Sequence, residues 1–187
     1  MVQTSQAFFP QMITQSKNKI QSEVILFFAG ILSLSLLAQI AIPLPWTPVP
    51  ITGQTLGVTL LALLWGQKRA TSVYISYFLL GSVGLPIFAM GKSGFMMGPT
   101  LGYLVGMLAS SFVVGYLADR GWSQKFSTAL LASYIGSIFV FSFGVWGLSF
   151  FMPTHLLFVS GVLPFMLGDA IKNVIASWLA SRANRRF

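Results

Sequence analysis

Charged residues are so unevenly placed along this 187-residue chain that the gaps between them decide its class. Charge-free runs extend for 44 residues from Val24 to Gln67, 22 from Ala70 to Gly91, 26 from Ser93 to Ala118 and 43 from Phe126 to Gly168. Each exceeds the ~18 apolar residues that argue for a membrane span. Only 7% of the chain is charged, against roughly a quarter in a soluble domain, so a water-facing surface cannot be built from it. The expectation is an all-α integral membrane protein. With no cysteine there is no disulfide framework, and three acids and one histidine leave little from which to assemble an active site.

The first run is too long for one span of ~20 residues and suits two. Pro43, Pro45, Pro48 and Pro50 interrupt it, because proline lacks the backbone donor and disfavours helix at the residue before it. Spans are therefore expected over about 24–42, 53–66, 70–89, 99–118, 126–149 and 156–181, the last run being broken at Met152-Pro153-Thr154-His155. Six transmembrane helices place both termini on one side. Residues 1–22 read as a polar cytoplasmic N-terminal segment and 23–187 as a six-helix membrane domain. The first span reads as retained, since no positive region stands directly at Met1 as a cleaved signal would require.

The basic residues orient these spans. Lys17, Lys19, Lys68, Arg69, Arg120, Lys125, Arg182, Arg185 and Arg186 fall on the side of the termini, and Lys92 alone on the other. By the positive-inside rule both termini are cytoplasmic. The net charge of +8 is thus an orientation signal spread between spans, and no nucleic-acid partner is expected.

Asp169 and Lys172 stand inside the expected sixth span. An ionisable residue at a span centre costs about 2.5 to 3.5 kcal/mol on insertion scales, so both should face protein or a water-filled cavity. Their i, i+3 spacing puts them on one helix face, where they can pair. A purely structural ion pair stays open, but such pairs seldom outperform packed apolar residues in stability, which favours a ligand. Gly161, Pro164 and Gly168 can open the helix nearby and turn carbonyls toward the same cavity.

On the outer side, the proline-stiffened segment carries Trp46, Thr47, Thr52 and Gln54, and reads as an interfacial anchor or as a rigid cap over a cavity. The glycine-rich segment from Gly84 to Thr100 holds Lys92, which can draw in an anion, or is a plain turn. Gly102-x-x-x-Gly106 and Gly106-x-x-x-Ser110 mark close helix packing beside Tyr103, and Ala29-x-x-x-Ser33 is a second small-residue contact face. His155 reads as a solvated turn residue. The chain has no G-x-x-x-x-G-K-[ST] loop and no H-E-x-x-H, so neither ATP hydrolysis by this chain, nor a metal site, nor enzyme activity is expected.

Four motifs carry a family likeness. Ala38-Gln-Ile-Ala-Ile-Pro-Leu-Pro-Trp-Thr-Pro-Val-Pro-Ile-Thr-Gly-Gln-Thr-Leu-Gly57, Gly81-x-x-Gly-Leu-Pro-Ile-Phe-Ala89, Gly98-Pro-Thr-x-Gly-Tyr103 and Gly161-Val-Leu-Pro-Phe-x-x-Gly-Asp-x-x-Lys172 resemble the BioY family, the biotin-specific S components of energy-coupling-factor (ECF) transporters. Leu101 stands where the family usually has a glycine. The resemblance spans about residues 38–181 and implies an S-component-like bundle that binds biotin from outside. It also implies a membrane coupling (T) subunit and a pair of ABC-type ATPases as partners, in the plasma membrane of a prokaryote, with no cofactor. The resemblance places Asp169 and Lys172 at the ureido ring and Lys92 at the carboxylate. Trp46, Phe88 and Tyr103 become candidate walls, Thr52 and Gln54 hydrogen-bonding tips, and Ala29 and Ser33 contacts to the coupling subunit. An S component for another vitamin, or a structural subunit whose ion pair only holds helices together, are the alternative readings.

Overall fold

Long helices fill most of the charge-free runs and are interrupted at proline- and glycine-containing stretches. The computed structural model describes Ala7 and residues 18–94 and 98–184. Among these, α1 (Lys19–Gln39), α2 (Gln54–Val83), α3 (Leu101–Asp119), α4 (Phe126–Leu148), α5 (Leu157–Gly161) and α6 (Leu163–Asn184) follow one another. Four stretches are long and apolar enough to cross a membrane: Lys19–Gln39, Leu101–Asp119, Phe126–Leu148 and Thr154–Asn184. The expected N-terminal segment and the basic residues Lys17, Arg185 and Arg186 lie almost wholly or wholly outside the described residues.

The expected second span and most of the third fall within α2, which ends at Val83 where Gly84 caps it, short of the expected 89, and which is not one straight rod. Gln54 Nε2 donates to the Tyr77 hydroxyl at 2.7 Å although 23 residues separate them. Along an unbroken helix that separation would be about 35 Å at ~1.5 Å per residue. The chain therefore folds back at Gly66, where φ is 76° and ψ 179°. Only glycine adopts such a backbone readily. A Cβ there would also stand 2.0 Å from Asp119 Oδ1, because the Asp119 carboxylate reaches from the end of α3 to accept a hydrogen bond from the Gln67 amide at 3.0 Å. The reversal at Gly66 comes two residues before Lys68-Arg69, at the expected end of the second span.

The outer proline segment departs from the all-helical expectation. Ala41–Ile42 (β1) and Ile51–Thr52 (β2) pair antiparallel, Ala41 opposite Thr52 and Ile42 opposite Ile51. The prolines between them close a small hairpin, and Gly53 N donates to Ile40 O at 2.9 Å to join its base to α1. The last membrane segment is likewise broken. Pro164 has no N–H to return to the carbonyl four residues back, and Val162 departs from helical backbone at φ −126°, ψ −58°.

Small residues set the helix spacing. A Cβ on Gly102 would meet Phe143 O at 2.3 Å, and one on Gly106 would meet Val140 Cα at 2.8 Å. The Gly102-x-x-x-Gly106 face is therefore an internal α3–α4 contact, the close approach that small residues allow between apolar helices. The Glu23 and Arg69 side chains form an ion pair between α1 and α2. It lies at the Gly66 end of the bundle, opposite the ribbon.

Gly66→Ala should lower the thermal stability of the detergent-solubilised protein by at least about 2 kcal/mol, since it combines a forbidden backbone with a carboxylate clash. Gly98→Ala, which meets nothing within 4 Å, should leave the melting temperature unchanged; equal melting of both variants would contradict the assigned reversal.

Candidate functional site

At the ribbon end, α2, α3, α4 and α6 do not close completely. The space between them, counted with its open mouth, is about 810 Å³. Its lining includes Thr52, Gln54, Phe88, Lys92, Tyr103, Asp169 and Lys172, together with Val49, Thr55, Met107, Val140 and Phe165. Seven of the eight ligand candidates named from the sequence thus share one cavity. Trp46 does not: it stands at the ribbon tip, 61% exposed.

The two charged residues of α6 each take separate partners. Lys172 is half-buried, and its Nζ donates to the Thr52 carbonyl at 2.7 Å and to Thr55 Oγ1 at 3.2 Å. The ammonium therefore fastens α6 to β2 and to the first turn of α2. Asp169 is buried, 9% exposed, and its Oδ2 accepts a hydrogen bond from Asn173 Nδ2 at 2.9 Å. The direct ion pair expected from the i, i+3 spacing is replaced by these contacts. Thr52 contributes through its carbonyl rather than its hydroxyl.

The aromatic wall is built by polar contacts that the sequence did not announce. Tyr103 OH donates to Gly161 O at 2.7 Å, and so satisfies a carbonyl beside the α5–α6 break. Its ring lies 6.1 Å from that of Phe165 and packs on Gly144, where a Cβ would come within 2.4 Å of Tyr103 Cδ1. Phe88 packs edge-on against Tyr77 at 5.5 Å. The backbone carrying it is fixed twice: Tyr77 OH donates to Ile87 O at 3.0 Å, and Gln39 Nε2 donates to Phe88 O at 3.2 Å. Gln54, expected as a ligand contact, has its amide group on Tyr77 and so supports this wall from behind. Lys92 is exposed at the mouth.

Sequence reasoning missed Asn173, Ser137, Tyr77, Gln39, Met107 and Phe165. Asn173 had a legible signal, a polar residue four positions after Asp169 on an apolar helix, which places both on one face. The others depend on which helices become neighbours. Ala29 and Ser33 lie exposed on the outward side of α1, where Ser33 Oγ donates to Ala29 O at 2.7 Å.

Chemically, the cavity offers an acceptor-only carboxylate and a donor-only ammonium at its inner end, apolar and aromatic walls, and a cation at its mouth. It suits a compact ring bearing N–H donors beside a carbonyl, joined to an anionic tail.

The BioY family model matches residues 11–187. The chain is 36% identical over 160 residues to the biotin transporter BioY of Thermotoga maritima, covering 84% of this chain and 94% of that one. It is 34% identical over 172 residues to the biotin transporter BioY of Rhizobium etli, covering 82% and 87%. Among solved structures, the crystal structure at 2.1 Å of the S-component for biotin from an ECF-type ABC transporter superposes with a TM-score of 0.83. It is 26% identical in sequence and covers 91% of this chain and 94% of that chain.

Tyr103→Phe removes the only donor that the described residues supply to Gly161 O through a side chain. It should cost about 1 to 2 kcal/mol in thermal unfolding, while Tyr116→Phe, half-exposed on α3, should cost almost nothing.

Proposed function

This chain belongs to the BioY family, and from that premise we propose that it captures biotin from outside the cell as the substrate-binding S component of an ATP-driven ECF transporter. The family is one of transporter components, not of enzymes. The observation that carries the reading is the convergence of Asp169, Lys172 and Lys92 on a single cavity with aromatic walls.

Biotin presents two ureido N–H donors, a ureido carbonyl, an apolar bicycle and a carboxylate ionised at pH 7, since carboxyl pKa values lie near 4. Asp169 accepts from the ureido donors. Lys172 offers the ureido carbonyl a donor, exchanging its contacts to Thr52 and Thr55 for the ligand. Lys92 at the mouth holds the carboxylate, and Phe88, Tyr103 and Phe165 flank the bicycle. Trp46 stays outside this set at the exposed ribbon tip, and Gln54 steadies the wall through Tyr77. Buried polar partners of this kind discriminate strongly against analogues that leave them unmatched.

The reversal at Gly66 supports six membrane passes, with the two arms of α2 as passes two and three. Both termini then lie in the cytoplasm, with residues 1–22 as the leading segment and 23–187 as the membrane domain, in the plasma membrane of a prokaryote. The chain has no nucleotide-binding loop, so energy comes from partners: a coupling subunit, met through the Ala29 and Ser33 face of α1, and a pair of ABC-type ATPases.

Purified protein should bind radiolabelled biotin, with Asp169→Asn and Lys172→Ala each weakening binding by at least about 100-fold. Unchanged affinity in both variants would remove the site; no biotin binding by the wild type, with binding of a different vitamin, would remove the substrate.

A further inference from the structure

Polar residues recur every fourth position along α6 at Asp169, Asn173, Ser177 and Ser181, and all four are buried, at 9%, 2%, 0% and 3% exposure. Such a stripe is unusual on an apolar helix long enough to cross a membrane. It is matched on α4 by Ser133 and Ser137, which are also buried. Hydrogen bonds join the two helices along this stripe. Ser133 Oγ donates to Ala129 O at 2.9 Å, so at the 3.0 Å contact between Ser133 Oγ and Ser177 Oγ it is Ser177 that donates. Ser137 Oγ lies 3.3 Å from Ser133 O and also within hydrogen-bonding reach of the Asp169 carboxylate, so its one proton is engaged and its lone pair is left as an acceptor. Asn173 Nδ2 supplies that acceptor at 2.9 Å and gives its other hydrogen to Asp169 Oδ2, also at 2.9 Å.

The amide of Asn173 is thereby locked. Turning it over would set its oxygen against both a carboxylate oxygen and a hydroxyl whose proton is already engaged. We propose that Asn173, oriented by Ser137 at one end of the hydrogen-bonded ladder between α4 and α6, is a positioning residue that holds Asp169 as a fixed acceptor toward the cavity and so selects ligands that present N–H donors. The ladder ends on the one carboxylate that faces the cavity, which helix adhesion alone does not require: apolar side chains would join α4 to α6 as well. The lower rung, Ser133 with Ser177, joins the helices without touching Asp169 and serves as an internal control. The proposal rests on the biotin reading only for the choice of ligand.

The chain contains two aspartates, Asp119 and Asp169, so protein labelled with carbon-13 at the aspartate carboxyl gives two signals, which Asp169→Asn assigns. In ligand-free Asn173→Ala the Asp169 signal should move, and biotin affinity should fall about 10- to 100-fold, the weight of one hydrogen bond to a charged group. Ser137→Ala, which removes the hydroxyl that holds the Asn173 amide and reaches Asp169, should do the same, and Ser177→Ala should leave the signal in place and affinity within about twofold. An unmoved Asp169 signal with unchanged affinity in Asn173→Ala overturns the proposal. So does equal loss in Ser137→Ala and Ser177→Ala, which decides the matter should Asn173→Ala not fold. If the wild type binds no biotin, the signal still reports the Asn173–Asp169 bond, and the two readings fail separately.

Discussion

The hydrogen bond from Asn173 to Asp169 resolves a conflict that any chain of this composition must resolve. Hydrocarbon offers no water to an unsatisfied carboxylate, and an acid at mid-membrane depth persists only where protein or a cavity supplies donors. Here Asp169 Oδ2 accepts from Asn173 on its own helix, and the Ser137 hydroxyl of α4 stands within hydrogen-bonding reach of the same carboxylate. Lys172 solves the same problem differently, by reaching to the backbone of β2 and the first turn of α2. Each charge thus has protein contacts of its own while still acting on the other, and both line the cavity, where a neutral ring can meet an acceptor and a donor.

That arrangement depends on how the helices are brought together. The fold-back at Gly66 places Gln54 against Tyr77, and Tyr77 in turn fixes the carbonyl of Ile87 next to Phe88. Glycine contacts between α3 and α4 bring Tyr103 close enough to reach the carbonyl at the α5–α6 break. The break itself follows from Pro164. Each wall of the cavity is therefore tied to a local irregularity: a reversed glycine, a glycine-lined helix contact, or a proline-interrupted helix. These are the positions at which non-helical backbone is tolerated in a membrane, since it lies inside the protein.

Much of this was legible in the residues. Charge-free runs marked the long helices, the closely spaced prolines marked the outer interruption, and two ionisable residues in an apolar stretch pointed to the cavity that they line. What escaped was of two kinds. The two-stranded ribbon depends on Ala41 and Thr52 finding each other across a proline loop, which helical periodicity does not encode. The partners of Asp169 and Lys172 depend on which helices become neighbours: Ser137 is one serine among many in α4 until packing puts it beside Asn173. The i, i+3 rule proposed a direct pair because it considers a helix in isolation, whereas Thr52 and Asn173 compete successfully for the same charges.

The central claim is that the inner end of this cavity grips a cyclic urea between an acceptor and a donor. A structure of the protein loaded with biotin tests it most directly. The account predicts the ureido ring at the inner end, its N–H groups within hydrogen-bonding distance of the Asp169 carboxylate and its carbonyl facing Lys172. A ligand bound with its ring away from both residues, or seated outside this cavity, would contradict it.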